Sequence, residues 1–294
     1  MDLSHINERF RDVAVRSKED RIAFLDEERW IGYTQADAII DMMRSLMEKP
    51  KKPRMPNILI VGDSNNGKST VIERFKKLYG ESYVNGEGDA VIPVLVAESP
   101  TPDEKGLYAA ILEEFLTPYR TTDSAAKLRY QVIHLMRDCH VRILIIEELH
   151  SLLAGTAMQQ RLVMNVLKFL CNELCIPVVG VGTRDAVRVL HTDPQHASRF
   201  DVVKLPTWEM DKEFRRILQG IEQILPLRFP SNLSDREKAP LLLSISEGNL
   251  GNLRFLLNEC AKEAIQSGQE YIDLEIIKSK SWVRPTRGIR EVVL

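Results

Sequence analysis

The sequence is short of several features that would place it in other classes. No apolar run in its 294 residues approaches the roughly 20 that a membrane helix needs, so membrane association is not expected. The opening stretch, MDLSHINERFRD, is too charged for a signal peptide. Cysteine is scarce: Cys139, Cys171, Cys175 and Cys260 include no C-x-x-C pair. Cys171 and Cys175 share a helix face at i, i+4, but no histidine or second pair completes a metal site. Such cysteine usage fits a reducing, cytoplasmic setting. Net charge is nearly absent too, at −2, which gives no global pull toward nucleic acid. Any DNA contact has to come from a local patch. There is no internal repeat and no low-complexity tract. What remains, 28% charged and 44% apolar residues, is ordinary for a globular protein with one large α/β domain and a smaller one.

Against that background one segment stands out. Residues Gly62 to Ser69 read GDSNNGKS and fill every fixed position of the pattern G-x-x-x-x-G-K-[ST]. An apolar run, Asn57 to Val61, precedes it, and a helical pattern, Lys68 to Tyr79, follows. Gly62 and Gly67 let the backbone curl so that successive N–H groups face phosphate oxygens, and the helix start adds its positive dipole end. Asn65, Asn66, Gly67 and Thr70 belong to the same cradle. Lys68 is expected to reach the β- and γ-phosphates, and the Ser69 hydroxyl to ligate Mg²⁺. The ligand is therefore expected to be ATP with Mg²⁺.

The middle of the chain alternates strand and helix. Strands are expected at 57–61, 91–97, 141–146, 176–181 and 201–205, and helices at 68–79, 103–116, 124–139, 157–174 and 183–191. Strands that are apolar throughout and separated by helices imply an α/β fold, a parallel sheet covered on both faces. After Pro206 the pattern is helical, at 209–225, 237–247, 250–267 and 273–279. Residues 1–50 read as a helical extension packing on the core, with Thr34 and Asp37 as a capping-box-like helix start. The expected division is 1–50 extension, 51–206 core, 207–280 helical lid and 281–294 basic tail.

The third long strand ends RILIIEELH. Two acids after a hydrophobic strand form a Walker B arrangement, in which Glu147 would be the metal-side acid and Glu148 the base that orients water. His150 reads as a surface or helix-start histidine. Thr183, at the tip of the next strand, either touches the γ-phosphate or water or simply caps a helix. Arg199, before the last strand, either reaches a neighbouring subunit's nucleotide or pairs with Asp201 on the surface. Arg254 either folds over the phosphates or is an exposed helix cation.

Together these residues resemble the AAA+ ATPases, whose fold is a three-layer parallel sheet with a small C-terminal helical lid. The segments RWIGYTQA, GDSNNGKST, LIIEELHSLLAG, PVVGVGTRDA, DPQHASRFDVVKLPTW and EGNLGNLR resemble the TniB-like and TnsC-like ATPases of DNA transposition. The resemblance spans about residues 25 to 270. It implies that Thr183 is sensor 1, Arg199 an arginine finger and Arg254 sensor 2, with Ile31, Gly32 and Tyr33 beside the adenine. It also implies a homo-oligomeric ring or filament on duplex DNA that recruits a transposase, works with a target-selection protein and is taken apart by hydrolysis. One departure is Glu147, where the family's first acid is usually Asp. The extra methylene moves the charge, and Mg²⁺ demands near-ideal geometry, so slow hydrolysis is expected.

Candidate DNA contacts are Lys105, Thr121, Thr122, Lys127 and Arg129, which lie around two helix starts and otherwise read as solvated faces. Arg284, Arg287 and Arg290 in the tail are further cations. Two alternatives remain: an AAA+ ATPase of another DNA pathway, such as a loader, or a small-molecule P-loop kinase.

Overall fold

In a computed structural model of the chain, the described residues are 2–27, 29–98, 101–191 and 194–280. The tail at 281–294, with Arg284, Arg287 and Arg290, lies outside them. The chain forms two compact units. Among the described residues, one comprises those within 36–64 and 68–205, and the other those within 1–35, 65–67 and 206–280.

The first unit is built on β1 (Asn57–Val61), β2 (Tyr83–Val84), β3 (Ala90–Val91), β4 (Val94–Glu98), β5 (Ile143–Glu147), β6 (Val178–Gly182) and β7 (Phe200–Lys204). Five of them form a parallel sheet in the order β4-β5-β6-β1-β7, while β2 and β3 make a separate antiparallel pair. Side chains alternate between the faces of a strand. Leu59, Val61, Leu144 and Ile146 face a core shared with Leu107 and Ile111 of the helix Glu104–Glu114 and with Val163 and Leu167 of the helix Ala157–Leu174. Ile58, Ile60, Ile143 and Ile145, on the opposite face, are at most 2% exposed. Burial on both faces is why these strands are apolar throughout.

The strand order positions the site. β6 lies between β1 and β5, with Val61 opposite Gly182 and Ile146 opposite Gly180. Adjacent strands are about 4.8 Å apart, so the carboxyl ends of β1 and β5 stand about 10 Å apart with the tip of β6 between them. Gly180 is forced by packing, because a Cβ there would lie 2.8 Å from Leu149 Cδ2 and 3.0 Å from Leu59 Cδ1.

The other unit is helical. Its longer helices are Lys18–Asp26, Lys212–Glu222, Lys238–Ser246 and Leu250–Ser267. Ser17, Asp211 and Asn249 cap three of them by accepting from the N–H of Asp20, Phe214 and Asn252. The helix Lys18–Asp26 packs on Leu250–Ser267. Arg21, fully buried, forms a bidentate pair with Glu270 at 3.1 and 2.6 Å. The single extension expected over residues 1–50 is thus divided. Residues 1–35 belong with 206–280, and residues 36–50 belong with the sheet. The helix expected to start at Thr34 runs Thr34–Glu48, and the Thr34 hydroxyl donates to Glu213 at 2.9 Å. No helix among the described residues is long and apolar enough to cross a membrane.

Candidate nucleotide site

The loop Gly62–Ser69 leaves the buried strand β1 and enters the helix Lys68–Tyr79. Asn65 and Gly67 adopt left-handed backbone, with φ of 59° and 78°. Asparagine and glycine are the residues that tolerate this conformation, and it turns the loop around its own N–H groups. The first N–H groups of the helix have no acceptor within it and add to that concave surface. The Lys68 ammonium donates to the carbonyls of Gly62 at 3.1 Å and Asp63 at 2.7 Å, so it lies folded over its own loop. Burial holds it below the ordinary lysine pKa, against the opposing charges of Glu148, Asp63 and Glu147.

The loop tip is held by the start of the helix Leu250–Ser267. Gly251 N–H donates to Asn65 O at 3.0 Å, and Asn65 Nδ2 donates to Asn252 Oδ1 at 3.1 Å. Leu250 N–H donates to Asn66 Oδ1 at 3.2 Å, while Asn66 Nδ2 donates to Pro206 O at 2.7 Å. Gly251 is needed for this approach, because a Cβ there would lie 2.3 Å from Asn65 O.

On the sheet unit, Glu147 ends β5, and the Ser69 hydroxyl is near enough to act on its carboxylate. Burial pushes its pKa up, the Ser69 hydroxyl pulls it down, and Glu148, Glu73 and Glu98 push it up again. A half-buried carboxylate crowded by acids and set beside a hydroxyl is a hard-oxygen donor set that a divalent cation would relieve. Ser69 and Glu147 therefore fit Mg²⁺ shared with phosphate oxygens.

Glu148 has left-handed backbone, φ 53° and ψ 33°, and starts a 3-10 turn over Leu149–Ala154. Thr183 occupies the N-cap position of the next turn, but its side chain makes no capping bond. The Arg199 guanidinium donates to Asn172 Oδ1 at 3.0 Å rather than pairing with Asp201.

In the helical unit, Tyr33 is buried edge-on against Trp208, with ring centroids 5.1 Å apart, while Gly32 is exposed. Ile31 and Arg254 line one cleft with Phe24, Leu25 and Ile221, and the Arg254 guanidinium donates to Glu27 O at 2.7 Å. Thr70, on the first turn of the helix Lys68–Tyr79, is half-buried.

The DNA candidates Lys105, Thr121, Thr122, Lys127 and Arg129 are all exposed. Two of them are already engaged: Lys127 pairs with Asp123 at 2.8 Å, and Arg129 lies over the Phe169 ring at 5.4 Å.

Residues 21–210 match the family described as bacterial TniB protein. The chain belongs to the TniB family. No curated protein matches it. Among solved structures, the ORC2 protein of Aeropyrum pernix, in ADPNP–ADP complexes, superposes with a TM-score of 0.65 at 15% identity, over 90% of this chain and 72% of that one. Cdc6p from Pyrobaculum aerophilum gives 0.63 at 14% identity, over 91% and 72%. A RuvB variant of Thermotoga maritima gives 0.53 at 16% identity, over 87% and 72%. These likenesses identify the fold of this TniB-family chain as the α/β P-loop fold of the AAA+ ATPases.

Three features of the TniB-family site escaped the sequence reading. Arg184 makes a bidentate pair with Asp63, at 2.7 and 2.9 Å, which joins the loop to the residue after Thr183. Glu98, at the end of β4, is the register partner of Glu147. His150 sits at the start of a 3-10 turn, as one of the two expected readings had it, but it also contacts both Glu148 and Thr183. For the first two, the only sequence signal was position at a strand end or in the loop. For His150 it was the spacing of two residues from an acid.

Proposed function

We propose that this chain is an ATPase that binds ATP with Mg²⁺ at Gly62–Ser69, assembles on duplex DNA and recruits or activates a transposase, with hydrolysis driving disassembly. The approach of Ser69 to Glu147, close enough for the hydroxyl to pull the carboxylate's pKa down, supports the reading, because the two belong to the sequence elements that must share one metal. Bound there, Mg²⁺ would neutralise charge on the transferred phosphoryl group. Lys68 supplies a buried cation to the phosphates. Glu148 holds and polarises the attacking water through its carboxylate. Thr183 presents a hydroxyl that is not spent on capping. Arg199 acts in a neighbouring subunit, and the nucleotide roles of Arg254, Ile31, Gly32 and Tyr33 rest on family membership alone.

The DNA and transposition steps rest on family membership and on the exposed Lys105, Thr121, Thr122, Lys127 and Arg129. The ORC1 protein of Aeropyrum pernix, solved in complex with DNA, shares the fold with a TM-score of 0.60 at 17% identity, over 90% of this chain and 70% of that one. Contacts made mainly to phosphates predict weak sequence preference and a steep loss of affinity with salt.

The test is a pair of variants. Lys68→Ala should lose nucleotide binding and, with it, assembly on DNA. Glu148→Gln should bind ATP, fail to hydrolyse it and leave assemblies that persist. Normal turnover by Glu148→Gln would remove it as the base. Glu147→Asp tests the slow-hydrolysis reading: a sharp rise in steady-state rate supports it, and an unchanged rate removes it.

A further inference from the structure

His150 is the polar residue beside the two acids that the reading above leaves without a task. Its Nε2 lies 3.3 Å from Glu148 Oε2. Its Nδ1 accepts a hydrogen bond from the backbone N–H of Thr183 at 3.4 Å. Because Nδ1 accepts, the ring proton of this tautomer sits on Nε2, the nitrogen that faces the Glu148 carboxylate. Only this tautomer serves both contacts.

The ring is held where it is. Leu149 and Leu152, both fully buried, anchor the 3-10 turn in the core. Ser151 N–H donates to Glu148 O at 2.8 Å and closes the turn. Gly182, at the end of β6, leaves room for the histidine, since a Cβ there would stand 3.2 Å from His150 N and 3.5 Å from Nδ1. By contrast, the Glu148 side chain is 45% exposed. An exposed glutamate samples several rotamers and loses that freedom when fixed in one. A general base acts only from hydrogen-bond reach of the proton it takes.

We propose that His150 is a positioning residue, which fixes the Glu148 carboxylate and ties it to the tip of β6 at Thr183. The proposal rests on the reading of Glu148 as the base. His150 touches neither water nor phosphate in this scheme and acts through Glu148. The bond to Thr183 gives the base and the residue expected to sense the γ-phosphate a common support.

The test is steady-state ATP hydrolysis with duplex DNA present, alongside binding of a slowly hydrolysed ATP analogue and thermal melting. His150→Ala should lower kcat by about 10- to 100-fold, with KM and analogue affinity within about twofold of wild type. His150→Gln puts an amide N–H near the former Nε2 and should recover much of kcat. His150→Asn keeps an acceptor for Thr183 but does not reach Glu148, and should stay as slow as His150→Ala. Recovery by Asn and not by Gln would assign His150 to bracing the turn alone and overturn the proposal. So would an unchanged or raised kcat in His150→Ala. Glu148→Gln, measured in parallel, separates the two levels. If it hydrolyses at the wild-type rate, the base assignment falls and this proposal with it. If it is inactive while His150→Ala is fully active, only the role of His150 falls.

Discussion

Gly251→Ala is the smallest change that reaches the phosphate loop from outside its motif. A Cβ at this position would lie 2.3 Å from both Asn65 O and Asn65 Oδ1, and 2.4 Å from Asn65 Cγ. Backbone and side chain of Asn65 must therefore withdraw by about 1 Å to reach ordinary contact distance. A shift of that size stretches the bonds from Gly251 N–H to Asn65 O and from Asn65 Nδ2 to Asn252 Oδ1 beyond hydrogen-bond range. Two such bonds contribute about 1–3 kcal/mol together. Alanine in place of glycine in a helix returns up to about 1 kcal/mol. Global stability should thus fall by no more than about 3 kcal/mol, while the loop tip loses the contacts that fix its shape. Affinity for a slowly hydrolysed ATP analogue, measured by calorimetry, should fall about 10-fold or more. Unchanged affinity with the expected small change in melting temperature would refute the view that the start of this helix shapes the loop.

Other perturbations address other parts of the structure. Glu270→Ala leaves the buried Arg21 without its bidentate partner and should cost about 3–5 kcal/mol in denaturant unfolding, whereas replacing both residues with apolar ones should recover much of the loss. Burial pushes the Cys260 thiol up to about 12 and raises that of Cys171, so both should resist a thiol reagent at pH 8 until the chain unfolds. The unfolded chain ionises Cys260 first, so stability should fall as pH rises from about 9 toward 12. Arg199→Ala should leave nucleotide binding by isolated subunits intact and lower assembly-dependent hydrolysis by on the order of 10³-fold, read by titrating protein concentration in an ATPase assay.

Much of the fold was legible because local signals agreed with one another. The helices Lys68–Tyr79, Ala157–Leu174 and Leu250–Ser267 fall at the expected residues. The last two have capping side chains, from Thr156 and Asn249, at their starts. The strand Asn57–Val61 was marked by five apolar-compatible positions between a proline and a glycine. The run expected at 91–97 instead divides at Pro93 into β3 and β4, since a two-residue strand carries no period to read. The helix expected at 183–191 is a 3-10 turn, Arg184–Ala186, followed by the short helix Val187–Leu190. The loop and the two acids were legible by spacing. The approach of Ser69 to Glu147 depends on strand order, and the pairing of Arg21 with Glu270 joins residues 249 apart. Neither kind of contact leaves a local trace. The role of His150 is invisible for the same reason, because Thr183 reaches it only through the sheet.

The central claim is that nucleotide bound at Gly62–Ser69 controls assembly on DNA. Electron microscopy of the protein with duplex DNA and a slowly hydrolysed ATP analogue tests it most directly. Rings or filaments that require both components, and that are lost in Lys68→Ala, are the predicted result. A protein that stays monomeric under every combination, or that coats DNA equally well without nucleotide, would contradict it.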